Sequence, residues 1–330
     1  MFETTLVGSQ PKIFDDSARP NLRLARNRLD KGKITQADLD DVTRGAIKAV
    51  ADDQIACGID RVTDGRVRWD DPVTPFAAAH DGFEIGGLIR FFDNNVYYRR
   101  PNVNGPVRFV HSAVVEDFRF LRELTDRPIL ASVCGPFSLA KFCVDQNYEG
   151  GRMLYEDCAR LVRAEIEALA HAGADWVQID EPFLALCPKE FSLAIETIRA
   201  TVPHNRVKTL LYTYFGSLGP IADRIWDLPV HAIGADCATA PGNLEILLRG
   251  PKTIGRVFGL LDARSTRLEP VEHVTSRLER IANSDASQWP IAWIAPSAAL
   301  EFLPYKNAIA KMRRLTEAVR AFQGETVAAL

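Results

Sequence analysis

Eight short apolar runs recur along this chain with longer stretches between them: Thr4–Ser9, Arg61–Gly65, Pro128–Val133, Trp176–Glu181, Lys208–Tyr214, Ala232–Cys237, Thr253–Leu260 and Ile291–Ser297. Runs of roughly four to eight residues with little polar alternation suit strands covered on both faces, as in parallel sheets. Between them, Ala37–Cys57 and Gly151–Ala172 carry apolar residues at three- and four-residue spacings, the mark of amphipathic helices. Eight strand–helix units predict an α/β fold, a single (β/α)8 or TIM barrel. The 330 residues are 47% hydrophobic, enough for one large core, and barrels commonly use this length as one domain, so 1–330 reads as one unit. One insertion interrupts the alternation. Gly82–His111, with turn residues Asp93-Asn94-Asn95, predicts a β-hairpin after the second strand, over the barrel mouth.

In such a barrel the chemistry sits at the carboxyl ends of the strands. Those ends carry Gly8-Ser9, Asp64-Gly65-Arg66, Cys134-Gly135, Asp180-Glu181, Tyr212 and Tyr214, Asp236-Cys237, Asp262 with Arg264, and Ser297. One polar residue there is as often a loop start or helix cap. A ring of eight favours a polar pocket. A net charge of −3 excludes a broad basic field, so no nucleic-acid partner is expected. Six cysteines form no CxxC and no framework, and no apolar run reaches membrane-spanning length. The reading is a cytoplasmic protein with free thiols and no membrane partner. The six histidines, His204 among them, show no metal-ligand spacing, and dinucleotide, P-loop, HExxH and GxSxG motifs are absent.

Ordered motifs along nearly the whole chain carry a family resemblance. They are Thr5-Leu6-Val7-Gly8-Ser9-Gln10-Pro11, Thr63-Asp64-Gly65-Arg66, Val133-Cys134-Gly135-Pro136, Val177-Gln178-Ile179-Asp180-Glu181-Pro182, Leu261-Asp262-Ala263-Arg264 and Leu300-Glu301-Phe302-Leu303-Pro304. Together they resemble the catalytic domain of cobalamin-independent methionine synthase, in its short "core" form, within the superfamily that also contains uroporphyrinogen decarboxylase. The resemblance implies a methyltransferase on a barrel. Its methyl carrier would be tetrahydrofolate or a methylcorrinoid, the latter on a methyl-carrier protein. A homo-oligomer is compatible with it.

The same alignment removes the family's usual chemistry. Its zinc ligands, His, Cys, Glu and a second Cys, fall on Tyr212, Tyr214, Asp236 and Ala298. One oxygen donor at most survives, so zinc is not expected and no metal ligand is assigned. Adjacent strand residues face opposite ways, so Cys237 is a poor substitute beside Asp236. Without metal, a thiol near pKa ~8.5 stays mostly protonated at neutral pH. Tyr212 and Tyr214 can still donate hydrogen bonds to an oxygen, or they merely fill the vacated space. The family carboxylate that contacts the homocysteine amino group falls on Arg66, which repels ammonium and favours a carboxylate or phosphate. Alternatively, Arg66 pairs with Asp180 or Glu181 and closes the site. A pterin-stacking aromatic falls on Phe142, itself equally at home in a core.

The first expectation is therefore methyl or small-alkyl transfer to an anionic substrate other than homocysteine. Asp180, Tyr212, Tyr214 and Asp236 would be catalytic, and Gly8, Ser9, Asp64, Arg66, Arg68, Glu181 and Arg264 would bind substrate. The alternatives are a metal-free lyase or decarboxylase using Asp64, Arg66, Arg68 and Asp236, and a binding subunit that has lost catalysis.

Overall fold

The computed structural model describes residues 2–14, 18–203, 207–284 and 286–324; His204 lies outside them. Seven parallel strands form the main sheet. They are β1 (Glu3–Thr4), β4 (Leu130–Cys134), β6 (Trp176–Asp180), β7 (Lys208–Thr213), β8 (Ala232–Asp236), β9 (Gly255–Leu261) and β10 (Ala292–Pro296). Their order is β1-β10-β9-β8-β7-β6-β4, so most neighbours follow one another along the chain and the sheet curls like the wall of a barrel. Every residue of β6, β8 and β9 is buried, the pattern of strands covered on both faces.

The expected eighth strand, Arg61–Gly65, shrinks to single residue bridges between the two edges of the sheet. Thr5 bridges Arg61 and Val62 bridges Ile129, both in parallel sense. The Arg61 amide donates to the Thr4 carbonyl (3.0 Å) and the Leu130 amide to the Val62 carbonyl (2.9 Å). β1 and this segment end early because the chain turns into left-handed backbone at Gly8 (φ 64°), Gly65 (φ 64°) and Arg66 (φ 48°). Glycine takes that conformation freely, whereas Arg66 is strained in it.

Helices cover the outside. Among them α2 (Gln36–Ala56) starts at a capping box in which Thr35 and Asp38 satisfy each other's backbone amides. Helix α6 spans Met153–His171, two residues later in start than the periodicity suggests. Helix α11 (Tyr305–Gln323) stops at Gly324 in the left-handed conformation. Shorter α4 (Val115–Leu124) follows the insertion, α5 (Pro136–Phe142) follows β4 and α7 (Pro182–Leu186) follows β6.

The insertion is an antiparallel hairpin of β2 (Asp81–Arg90) and β3 (Tyr97–Arg108), with β5 (Val144–Asp145) added beside β3. Its turn closes where the Phe91 amide donates to the Val96 carbonyl (2.8 Å). No described helix is long and apolar enough to cross a membrane. All six cysteines are free thiols.

Candidate functional site

The left-handed turn at Gly65-Arg66 swings the Arg66 side chain inward, where it is 2% exposed. Its Nη2 lies 2.5 Å from Oδ2 of Asp180, which is 3% exposed at the end of β6. Arg66 Nε donates to Ser132 Oγ (2.8 Å), and the guanidinium stacks 4.6 Å over the Trp69 ring. A side chain at Gly8 would stand 3.2 Å from Arg66 Nη1, so this glycine keeps the approach open. Gln178 Nε2 donates to the other Asp180 oxygen (2.6 Å). Burial pulls the guanidinium pKa down, but Asp180, Tyr214 and Asp64 more than offset it and hold it above its ordinary value. Three polar atoms of this neighbourhood are buried without a hydrogen-bond partner, Ser9 Oγ, Trp69 Nε1 and Gln178 Oε1, while Arg66 Nη2 and Asp180 Oδ2 satisfy each other. Such groups are costly unless a ligand or water completes them. Of the two arrangements open for Arg66, the structure has the one paired with Asp180.

Glu181 is fully buried and turned away from that pair. Its carboxylate accepts from the amides of Phe137 (3.0 Å) and Ser138 (2.8 Å) and from Ser138 Oγ (2.6 Å), capping the start of α5. Burial raises its pKa to about 7 against the pull of those donors. Asp236 is likewise engaged by its own loop. It accepts from the amides of Ala238 (2.9 Å) and Thr239 (2.8 Å) and from the Thr239 hydroxyl. Its pKa is raised by burial.

Tyr212 is buried on β7, and its hydroxyl donates to the Pro296 carbonyl (2.9 Å). The ring fits because β8 and β9 carry Gly234 and Gly259 beside it; a Cβ at either would strike the ring or the hydroxyl. Tyr214, 6.4 Å away between centroids, has its phenol held neutral, first by burial and then by Asp180, with Arg66 partly opposing.

Asp64 is half-buried, accepts from the Arg66 amide (3.0 Å), and is pushed up in pKa by burial. Arg68 points elsewhere. Its Nε meets Asp117 (2.9 Å) on α4 and its Nη1 meets Asp40 (2.8 Å) on α2, beside an open cavity of about 520 Å³ outside the strand wall. Arg264 is exposed, 4.8 Å over the Phe215 ring. Phe142 is enclosed by other rings. It stacks on Phe91 (5.5 Å, 22°) and meets Phe92, Tyr98 and Phe183 edge-on.

The structure brings Arg66, Asp180 and Tyr214 together, and beside them stand Trp69, Ser132, Gln178, Lys12 and Glu301, which the sequence reading does not single out. Lys12 donates to the Trp69 carbonyl and reaches Glu301 at 3.3 Å. Gln178 was legible, since it lies two residues before Asp180 and so shares its strand face.

The donor set does not fit a zinc ion. At the four corresponding positions stand a phenol already bonded to a carbonyl, a second phenol kept neutral, a carboxylate bonded within its loop, and the methyl of Ala298. Among the described residues no three His, Cys, Asp or Glu side chains converge as a metal site.

A curled parallel sheet with buried charge and phenols at its strand ends defines the class, an α/β enzyme with the site inside the strand wall. Residues 2–321 match the family described as cobalamin-independent synthase, catalytic domain. The chain belongs to that family, a family of methyltransferases. Methionine synthases of Sulfurisphaera tokodaii and Pyrococcus abyssi are 28% and 26% identical to it, each over 98% of this chain and 93% of the relative. Two solved structures share the fold. One is a B12-independent methionine synthase from Shewanella sp. W3-18-1 in complex with selenomethionine, with TM-score 0.83, 22% identity and 98% of both chains covered. The other is a putative vitamin-B12 independent methionine synthase from Listeria monocytogenes, with TM-score 0.77, 18% identity and 98% and 100% covered. A cobalamin-independent family removes the corrinoid carrier from the expectations.

Proposed function

We propose that this chain, 1–330 as one eightfold barrel, transfers a methyl or small alkyl group without zinc to an anionic acceptor other than homocysteine. The observation that carries the reading is the sealed Arg66–Asp180 pair. The family resemblance implies that the carboxylate at Asp180 also contacts the amino group, and here a guanidinium neutralises it. An ammonium brought to this spot meets Arg66 and is repelled. Two of the three unpartnered atoms, Ser9 Oγ and Trp69 Nε1, can donate a hydrogen bond, which suits a carboxylate or another oxyanion.

In this reading Arg66 and Ser9 orient the acceptor and Asp180 holds Arg66 in place. Tyr214 stays protonated and donates a hydrogen bond where negative charge gathers on the leaving group. Tyr212 and Asp236 shape the floor and the neighbouring loop. The lyase alternative has less support, because Arg68 and Asp236 are engaged away from Arg66. A pterin does not fit against Phe142 in the closed arrangement, since neighbouring rings surround it. A pterin carrier, which would give up the methyl and depart as the leaving group, would need these rings to part first. Small substrates and free thiols accord with a cytoplasmic enzyme.

Two measurements test the reading together. Elemental analysis of untagged protein should find well under one zinc per chain. Incubation with homocysteine and methyltetrahydrofolate should yield no methionine above background. One tightly held zinc per chain, or methionine formed at enzymatic rates, would return thiolate chemistry to first place.

A further inference from the structure

The hairpin tip is seated inside the strand wall's aromatic rim. Phe91, 1% exposed, lies nearly parallel between Phe142 (5.5 Å, 22°) and Phe302 (6.4 Å, 17°), like a sheet in a slot. Phe92 meets Phe183 (5.0 Å) and Phe215 (5.5 Å). These four partners follow four different strands: Phe142 ends the helix after β4, Phe183 follows β6, Phe215 follows β7 and Phe302 follows β10. One dipeptide thus touches most of the mouth's circumference. Tyr214, next to Phe215 in the chain, interacts with Arg66, Asp180 and Glu301, and Glu301 is next to Phe302, so this rim adjoins the buried Arg66–Asp180 pair.

Two further observations single out this contact. Four non-glycine residues among those described have positive φ, and Phe92 (51°) and Phe215 (67°) are two of them, in ring contact with each other. Strain of this kind persists where surroundings over-determine it and gathers at places that switch. The hairpin next to the tip is less covered: Leu88 and Ile89 on β2 and Tyr97 at the start of β3 are largely exposed. The tip is therefore bounded by exposed residues on β2, while β3 is anchored through buried Tyr98, Val103 and Val107.

We propose that Phe91-Phe92 is an intramolecular plug, and that a ligand reaches Arg66 only when the tip withdraws from between Phe142 and Phe302. The proposal rests on placing the site at the mouth, as above. The vacated slot has two apolar walls, Phe142 and Phe302, and the anionic end of the acceptor would meet Ser9 Oγ and Trp69 Nε1 once it is past them. Opening breaks no covalent bond.

Two substrate-free readouts test the plug, so its failure is separable from failure of the transferase reading. In the unmodified protein, hydrogen exchange resolved by peptide should show the tip, residues 89–97, opening at least tenfold more often than β6 and α6. Protection equal to that of β6 would overturn the plug. Cys134, 2% exposed and electrostatically coupled to Arg66, Asp180 and Glu181, reports access from the mouth. Cys158 on α6 is the control. With N-ethylmaleimide and site-resolved mass spectrometry, Phe91→Ala should speed labelling of Cys134 at least tenfold and leave Cys158 unchanged. An unchanged Cys134 rate in a folded variant would overturn the plug, as would equal acceleration of both thiols.

Discussion

Arg61 and Arg66 stand five residues apart, and so do their partners Asp175 and Asp180 at the two ends of β6. Both guanidinium groups stack 4.6 Å from a tryptophan, Trp293 and Trp69 respectively. The molecule has thus built one ion pair twice, on opposite ends of its strand wall. At the amino end Asp175 is 57% exposed and water screens the pair. At the carboxyl end both partners are sealed, and desolvation of each charge rivals their attraction. The same chemistry is a surface tie at one end and a costly, poised arrangement at the other. Perturbed, buried charge of the second kind gathers where ligands bind.

Removing the buried acid should break the comparison most visibly. Asp180→Ala leaves Arg66 uncompensated and should cost about 3–5 kcal/mol in urea unfolding. The neutral double replacement Arg66→Met, Asp180→Leu should recover most of that loss. A cost of Asp180→Ala below about 1 kcal/mol would mean that water reaches the pair.

The pH dependence sharpens the contrast, because the carboxyl end also carries Glu181. Its pKa rises from 4.5 to about 7 on folding, chiefly through burial. The folded state then holds the proton more tightly than the unfolded chain. This contribution to stability is complete below about pH 4.5 and is lost as pH rises through about 7. Asp117, raised to about 6 by burial and by Asp64, acts in the same direction. Glu181→Gln should flatten the fall between pH 5 and 7.5 by about 2–3 kcal/mol at most, at roughly 1.4 kcal/mol per pKa unit. An unchanged pH profile in the variant would show that the capping amides, not burial, set this carboxyl.

The smallest effect belongs to the exposed pair. Asp175→Ala should cost about 1 kcal/mol or less, and the loss should shrink further in high salt. A cost matching that of Asp180→Ala would erase the distinction.

Strands such as β6 and β9 were legible because burial on both faces leaves a plain apolar run. The first two strands were not, because Gly8, Gly65 and Arg66 turn the chain before a ladder can form. That conformational choice at Arg66 depends on contacts with residues more than sixty positions away, Ser132 and Asp180. Polar residues at strand ends were legible as a group, but their orientations were not. Glu181 and Asp236 cap neighbouring backbone, a local use that sequence cannot separate from pointing into a pocket. Phe142 read equally as a stacking platform or as core, and only the hairpin's fold shows which rings enclose it.

The space occupied by Tyr212 exists only because Gly234 and Gly259 flank it. This makes the three positions one inherited unit. A lineage must hold both glycines before tyrosine can enter at 212, and afterwards neither glycine can drift. Exchange in the other direction is also coupled: histidine at 212 alone supplies one nitrogen donor and leaves a void beside Gly234 and Gly259. Sequences along any path between the two chemistries should therefore carry small residues at 234 and 259 before the histidine changes. The order of substitutions is written into the packing.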